Sequence, residues 1–126
     1  MRKLIPLVSF IIVFATGVHS AEVELDTDLM QNIEDTNKSL SSNIALQRAD
    51  ASKSDANDLQ AMFEVVEAHF IKKGGAENAV DLSKKSKDLA ADIIKLVDEK
   101  NFDSATNTAT ELSRACKSCH TFYKKE

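Results

Sequence analysis

The sequence predicts an all-α protein, an antiparallel up-down-up-down four-helix bundle. Between residues 21 and 126 it contains two glycines and no proline, so little interrupts a helix. Apolar residues recur every three or four positions in four successive segments, and no segment alternates as a strand does. The breaks between these segments are short, which favours antiparallel neighbours.

The four predicted helices cover residues 26–48, 52–72, 77–98 and 102–124. Their apolar stripes are Leu29, Ile33, Leu40 and Ile44 with Met30 beside them; Leu59, Met62, Phe63, Val66 and Phe70; Leu82, Leu89, Ile93 and Leu96; and Phe102, Ala105, Ala109, Leu112, Cys116, Cys119 and Tyr123. Each stripe covers one face of its helix, which is the pattern of a helix packed on its neighbours.

Local signals mark the three breaks. Asp50, in the segment Ala49-Asp50-Ala51, is the predicted N-cap of the second helix. Lys73-Gly74-Gly75 ends that helix, where a glycine can take the left-handed cap conformation. Asn101 is the predicted N-cap of the fourth helix.

The N-terminus predicts a bacterial-type signal peptide over residues 1–20. A basic start, Met1-Arg2-Lys3, precedes an almost wholly apolar run from Leu4 to Val18, and small residues follow at Ser20-Ala21. The apolar run is too short to span a bilayer comfortably. We therefore expect export to the periplasm with cleavage after Ser20, leaving one domain at 21–126; an uncleaved anchor is the alternative.

The predicted mature chain is acidic. Removing residues 1–20 removes two basic residues, so 14 basic side chains face 20 acidic ones, a formal charge of −6. This balance argues against nucleic acid and anionic membranes as partners. It fits a soluble protein that meets a basic or mixed-charge protein, with no stable membrane insertion after signal removal.

The most informative motif is Cys116-Lys117-Ser118-Cys119-His120. C-x-x-C-H is the attachment signature of c-type haem, in which two thiols bond the porphyrin and the imidazole binds iron. On a helix the three side chains fall within an arc of about 100°. A redox C-x-x-C or a disulfide is the alternative, but a thioredoxin-like site needs a βαβ pattern that the sequence lacks. We therefore expect one covalent haem c with His120 as the proximal iron ligand.

Four helices with this motif in the last one resemble the class II c-type cytochromes, the cytochrome c′ and cytochrome c556 family. The resemblance covers the whole of residues 21–126 and is most specific over residues 114–124, where Tyr123-Lys124 matches an aromatic and then a basic residue after the motif. It implies a monohaem electron carrier, which the signal peptide would direct to the periplasm. Outside the motif the sequence shows no paired carboxylates and no Ser/His/Asp set with suitable geometry, so we do not expect an enzyme. The resemblance also implies redox proteins as partners and a monomer or homodimer. Lys124 would contact the haem on its proximal side, although a solvated Lys explains it equally well.

The residue opposite His120 is the main open question. Met30 is the predicted distal ligand, because it lies at nearly the same depth in the bundle and matches a ligating Met of cytochrome c556 proteins. His69 has a suitable depth but lies off its apolar stripe, and Met62 is too deep. A further alternative is an open iron face, as in most cytochromes c′. The protein would then bind nitric oxide or carbon monoxide.

Overall fold

A computed structural model describes Leu25 and residues 27–123, with side chains as far as His120. The predicted signal peptide at 1–20 and Lys124 lie outside the described residues. The helices are α1 (Thr27–Ala45), α2 (Ala49–Lys73), α3 (Glu77–Asp98) and α4 (Phe102–Tyr123). No strand occurs within this described range. The prediction of an all-α four-helix bundle is confirmed.

The turn between α1 and α2 lies earlier than predicted. Gln47 takes a positive φ of 54°, and the N–H groups of Gln47 and Arg48 donate to the carbonyls of Ile44 and Asn43, both at 2.9 Å. These bonds form a Schellman motif, which ends α1 at Ala45. The prediction of Asp50 as N-cap is wrong, since Arg48 precedes the helix and Asp50 lies in its first turn. The Asp50 carboxylate there still interacts favourably with the helix dipole.

The glycine pair ends α2 close to the predicted position. Gly74 donates its N–H to the Phe70 carbonyl at 3.1 Å, and both Gly74 and Gly75 have a φ of 70°. Because L side chains disfavour positive φ, glycine suits this turn. Both glycines take the positive φ that the prediction requires, although the ψ of Gly74, 160°, differs from that of a left-handed helix.

The turn between α3 and α4 repeats the Schellman arrangement. Lys100 has a φ of 57°, and Asn101 donates its N–H to the Leu96 carbonyl at 2.8 Å. The Asn101 side-chain oxygen accepts a bond of 3.2 Å from the Ser104 N–H. The prediction of Asn101 as N-cap is confirmed, since this bond satisfies one of the free amides of the first turn.

The predicted stripes converge on a single core. Each helix contributes a fully buried aliphatic residue, namely Leu40, Leu59, Ile93 and Leu112. Burying each such side chain contributes about 1.5–3 kcal/mol. Met30, Met62 and Cys116 are partly buried and pack against this core.

Polar links join neighbouring helices around the core. They are Asn43–Asp55 between α1 and α2, Lys53–Asp98 and Lys87–Glu67 between α2 and α3, and Asn37–Ser113 between α1 and α4. The contact between α2 and α3 is the most extensive, and contact between α1 and α4 closes the bundle. Across the described residues, no helix combines the length and apolarity needed to cross a membrane.

Candidate functional site

A cavity of about 360 Å³, measured out to its open mouth, lies between the four helices. Its lining residues are Met30 and Ile33 of α1, Phe63 and Val66 of α2, Leu82, Ser83 and Ser86 of α3, and Ala115, Cys116, Cys119 and His120 of α4. Its enclosed part is only about 30 Å³, enough for about one water molecule, and its walls are mainly apolar. Because the cavity opens to solvent, a planar group larger than its enclosed part would have an exposed edge.

Small side chains on α3 and α4 account for this space. Ser83, Ser86 and Ala115 lie on buried faces, where larger aliphatic residues fill the core elsewhere. Protein interiors are otherwise close-packed, so an unfilled space inside a bundle leaves its walls without contacts. The cavity therefore suits a group that completes the packing at this level of the bundle.

The C-x-x-C-H motif lies at this cavity. Cys116 and Cys119 are half-buried free thiols, while His120 is largely exposed, and all three line the cavity. Their positions at i, i+3 and i+4 on α4 put them on one face, as the sequence predicts. The last helix thus presents two sulfurs and an imidazole to the same space.

Burial in the cavity wall favours the neutral form of both thiols. Burial, with a smaller contribution from the charge of Cys119, raises the pKa of Cys116 to about 11. Burial also raises the pKa of Cys119. A thiol with a raised pKa carries little of the nucleophilic thiolate at neutral pH, which is the behaviour of a structural cysteine rather than a redox-active one.

Met30 faces this motif from α1. Its side chain is half-buried, packs against the core and lines the same cavity as Cys116 and His120. Two helical turns away, the Asn37 amide donates to the Ser113 hydroxyl at 2.9 Å and joins α1 to α4. A thioether and an imidazole thus share one cavity although they are far apart in sequence.

The other two candidates for the distal position lie elsewhere. The His69 ring packs edge-on against Phe70, with ring centroids 5.2 Å apart, and His69 does not line the cavity. Met62 packs against the core and is likewise absent from the cavity wall. Of the three residues weighed from the sequence, Met30 alone borders the cavity.

Sequence reasoning missed the polar wall on α3. Ser83 is 3% exposed and donates to the Ala79 carbonyl at 2.6 Å, and Ser86 is 2% exposed. The available signal was that two serines replace apolar residues in the stripe between Leu82 and Leu89. Buried serines in an amphipathic stripe indicate either small size or a polar contact.

An ion pair between Lys87 and Glu67 lies beside this wall, because each partner is next in sequence to a cavity-lining residue. The Lys87 ammonium donates to the Glu67 carboxylate at 2.5 Å, and the two side chains are 27% and 16% exposed. The hydrogen bond to Glu67 raises the pKa of Lys87. Each partner directly follows a cavity-lining residue, Ser86 on α3 or Val66 on α2, so the pair joins the two helices beside the cavity.

The residues present fit a covalently attached haem. Two thiols, one imidazole and one thioether border a mainly apolar space, which matches thioether attachment and axial ligation by His and Met. The described residues include no group of three or more His, Cys, Asp or Glu side chains arranged to hold a bare metal ion.

Comparison with known proteins adds no assignment, since no protein-family model, curated protein or solved structure matches this chain. The chemistry of the site is therefore argued from its own residues. Two predicted features of the motif remain predictions, because Lys124 and the side chain of Tyr123 lie outside the described residues.

Proposed function

We propose that this chain is a periplasmic monohaem c-type cytochrome that acts as a soluble electron carrier. One observation carries the proposal: Met30, Cys116, Cys119 and His120 line the same apolar cavity between four helices. In this proposal the two Cys hold haem c through thioethers, His120 is the proximal iron ligand and Met30 the distal one. Residues 1–20 direct export to the compartment in which such haem is attached.

We further infer that the helices run up-down-up-down, each antiparallel to its neighbour. Two polar links between α2 and α3 support this, since Lys53 bonds Asp98 whereas Glu67, further along α2, bonds Lys87, earlier in α3. The connections between helices are also short.

The same arrangement supports Met30 as the partner of His120. The bond between Asn37 and Ser113 marks one depth shared by α1 and α4. Met30 lies about two turns before Asn37, and His120 about two turns after Ser113. In antiparallel helices both displacements point to the same end of the bundle, about 10 Å from the marker bond.

The haem, when bound, supplies an iron that gains and loses one electron. His120 and Met30 would both bind the iron, which would leave no open site for a substrate and would limit rearrangement on electron transfer. Apolar walls such as Ile33, Phe63 and Val66 would exclude water from the iron. The open mouth would leave an edge accessible to another redox protein, so transfer needs no enzymatic step.

The surface charge bears on the partner. The predicted mature chain has a formal charge of −6, which favours encounter with a basic or mixed-charge redox protein. Because salt screens this attraction, the association rate should fall as the salt concentration rises. The family resemblance leaves a monomer or a homodimer. It also suggests Lys124 as a haem-proximal contact.

The test begins with mass and spectrum. Protein from a host able to attach c-type haem should weigh one haem more than the processed polypeptide after denaturation. The oxidised protein should be low-spin with a Met-to-iron band. Met30→Ala should make the iron high-spin and open to carbon monoxide.

Met62→Ala provides the matched control, because Met62 is also half-buried but does not line the cavity. It should leave the low-spin spectrum unchanged. A low-spin spectrum that survives Met30→Ala would exclude Met30 as ligand. Strong carbon monoxide binding by the unaltered protein would instead favour the five-coordinate alternative, a cytochrome c′ that binds nitric oxide or carbon monoxide.

A further inference from the structure

The α3 wall of the cavity carries a hydroxyl that the proposed ligand set does not use. We infer that Ser86 donates a hydrogen bond to a carboxylate of the bound haem, and this inference rests on the proposed function. Ser86 would thereby fix which edge of the porphyrin faces α3. It is a positioning residue that touches the cofactor away from the iron.

The first support is burial without a partner. Ser86 is 2% exposed and lines the cavity. Its hydroxyl makes no hydrogen bond to any residue that the structure describes. Among the described residues, the fully buried and unpaired side-chain oxygens are Asn37 Oδ1 and Ser52 Oγ, so the unpaired Ser86 oxygen is accessible from the cavity and can donate to a polar atom on a group that fills it.

The second support is the scarcity of other donors. The polar residues in the cavity lining are Ser83, Ser86 and His120. Ser83 already donates its proton to the Ala79 carbonyl at 2.6 Å, and His120 is the proposed iron ligand. Ser86 is therefore the side chain in this wall with a proton to give.

The third support is the chemistry of the haem itself. Its strong hydrogen-bond acceptors are two carboxylates, and a carboxylate drawn into an apolar space needs a donor. The cation next in sequence is already engaged, because Lys87 holds Glu67 at 2.5 Å. A carboxylate that enters the enclosed part of the cavity would thus meet the Ser86 hydroxyl.

Ser86→Ala and Ser52→Ala form a matched pair for the test. Both serines are at most 2% exposed, and the Ser52 hydroxyl is also unpaired, but Ser52 does not line the cavity. In the haem-loaded protein, Ser52→Ala should raise the thermal unfolding midpoint because it removes an unsatisfied group. Ser86→Ala should lower that midpoint, because it breaks a bond to the cofactor.

Resonance Raman spectroscopy gives a second measurement, which would not change if Ser86 only packed in the core. The bending mode of the haem carboxylates should shift in Ser86→Ala and stay unchanged in Ser52→Ala. An unshifted mode overturns the inference, and so does a midpoint that rises in both variants. In the Met30→Ala background, which should be open to carbon monoxide, an iron–carbon monoxide stretch that Ser86→Ala changes while the carboxylate mode stays unshifted would place the bond on an iron-bound ligand instead, which also overturns the inference.

The mass of the purified protein distinguishes failure of this inference alone from failure of the proposed function. If the purified protein carries no covalent haem, both this inference and the proposed function fall. If the haem is present but Ser86→Ala behaves as Ser52→Ala does, the inference falls and the proposed function stands.

Discussion

Ser52→Ala should stabilise this protein, although it shortens a side chain in the core. Ser52 lies in the first half of α2, is 0% exposed, and has a hydroxyl without a hydrogen-bond partner among the described residues. Its backbone N–H bonds the Arg48 carbonyl at 2.9 Å, and this bond survives the substitution. The change therefore removes an unpaired polar atom and leaves the helix intact.

The magnitude follows from three contributions. A buried hydroxyl without a partner destabilises the folded state by about 1–3 kcal/mol. Alanine is a better helix former than serine by up to about 0.5 kcal/mol. The lost oxygen leaves a void of about 10 Å³, which costs about 0.2 kcal/mol. The free energy of unfolding should rise by at least about 1 kcal/mol, and the Tm by about 4–8 °C for a domain of this size.

The assay is thermal and urea denaturation followed by circular dichroism. Ser54→Ala is the control, because Ser54 is an exposed residue on the same helix and gains only the difference in helix propensity. Ser52→Ala should exceed Ser54→Ala in Tm. Equal shifts would refute the inferred desolvation penalty, and a lower Tm for Ser52→Ala would show that the hydroxyl has a partner in solution.

Three further predictions concern the core and the Cys116 thiol. Leu112→Ala should lower the free energy of unfolding by about 2–5 kcal/mol, since Leu112 is fully buried. Leu46→Ala should change the free energy of unfolding little, because Leu46 is 60% exposed. Chemical denaturation of both variants measures the difference. In folded, haem-free protein at pH 8, Cys116 should be alkylated about 100-fold more slowly than in urea, because burial raises its pKa from 9.0 to about 11 and so reduces the thiolate. A Cys116 that reacts equally fast in the folded protein and in urea would contradict its burial. Because the folded state favours the neutral thiol, the free energy of unfolding should also fall as pH rises from 9 towards 11.

Much of the fold could be predicted because its signals are local. Apolar residues at helical spacing identify all four helices, and residues such as Leu59 and Leu112 are buried as that spacing predicts. Asn101 was recognisable as an N-cap because its side chain acts within its own turn. Such signals need no knowledge of the neighbouring helices.

The turns were harder to predict where no glycine marks them. Gln47 and Lys100 take positive φ values of 54° and 57°, a conformation usually signalled by glycine. Because neither residue type carries that signal, the first turn was placed a few residues late and Asp50 was assigned the wrong role. The backbone bonds of the Schellman motif set the conformation of both turns, and of the two only the second carries a side-chain signal, the Asn101 cap.

The sequence by itself determined the four helices and the spacing of Cys116, Cys119 and His120 on one helix face, because both follow from periodicity along one chain segment. Only the tertiary structure decided that Met30 shares a cavity with them while His69 does not, and that Ser86 is a buried hydroxyl on its wall. Those facts depend on how far each helix extends past its neighbours and on which small side chains leave space. Such relations join residues distant in sequence, so no local pattern contains them.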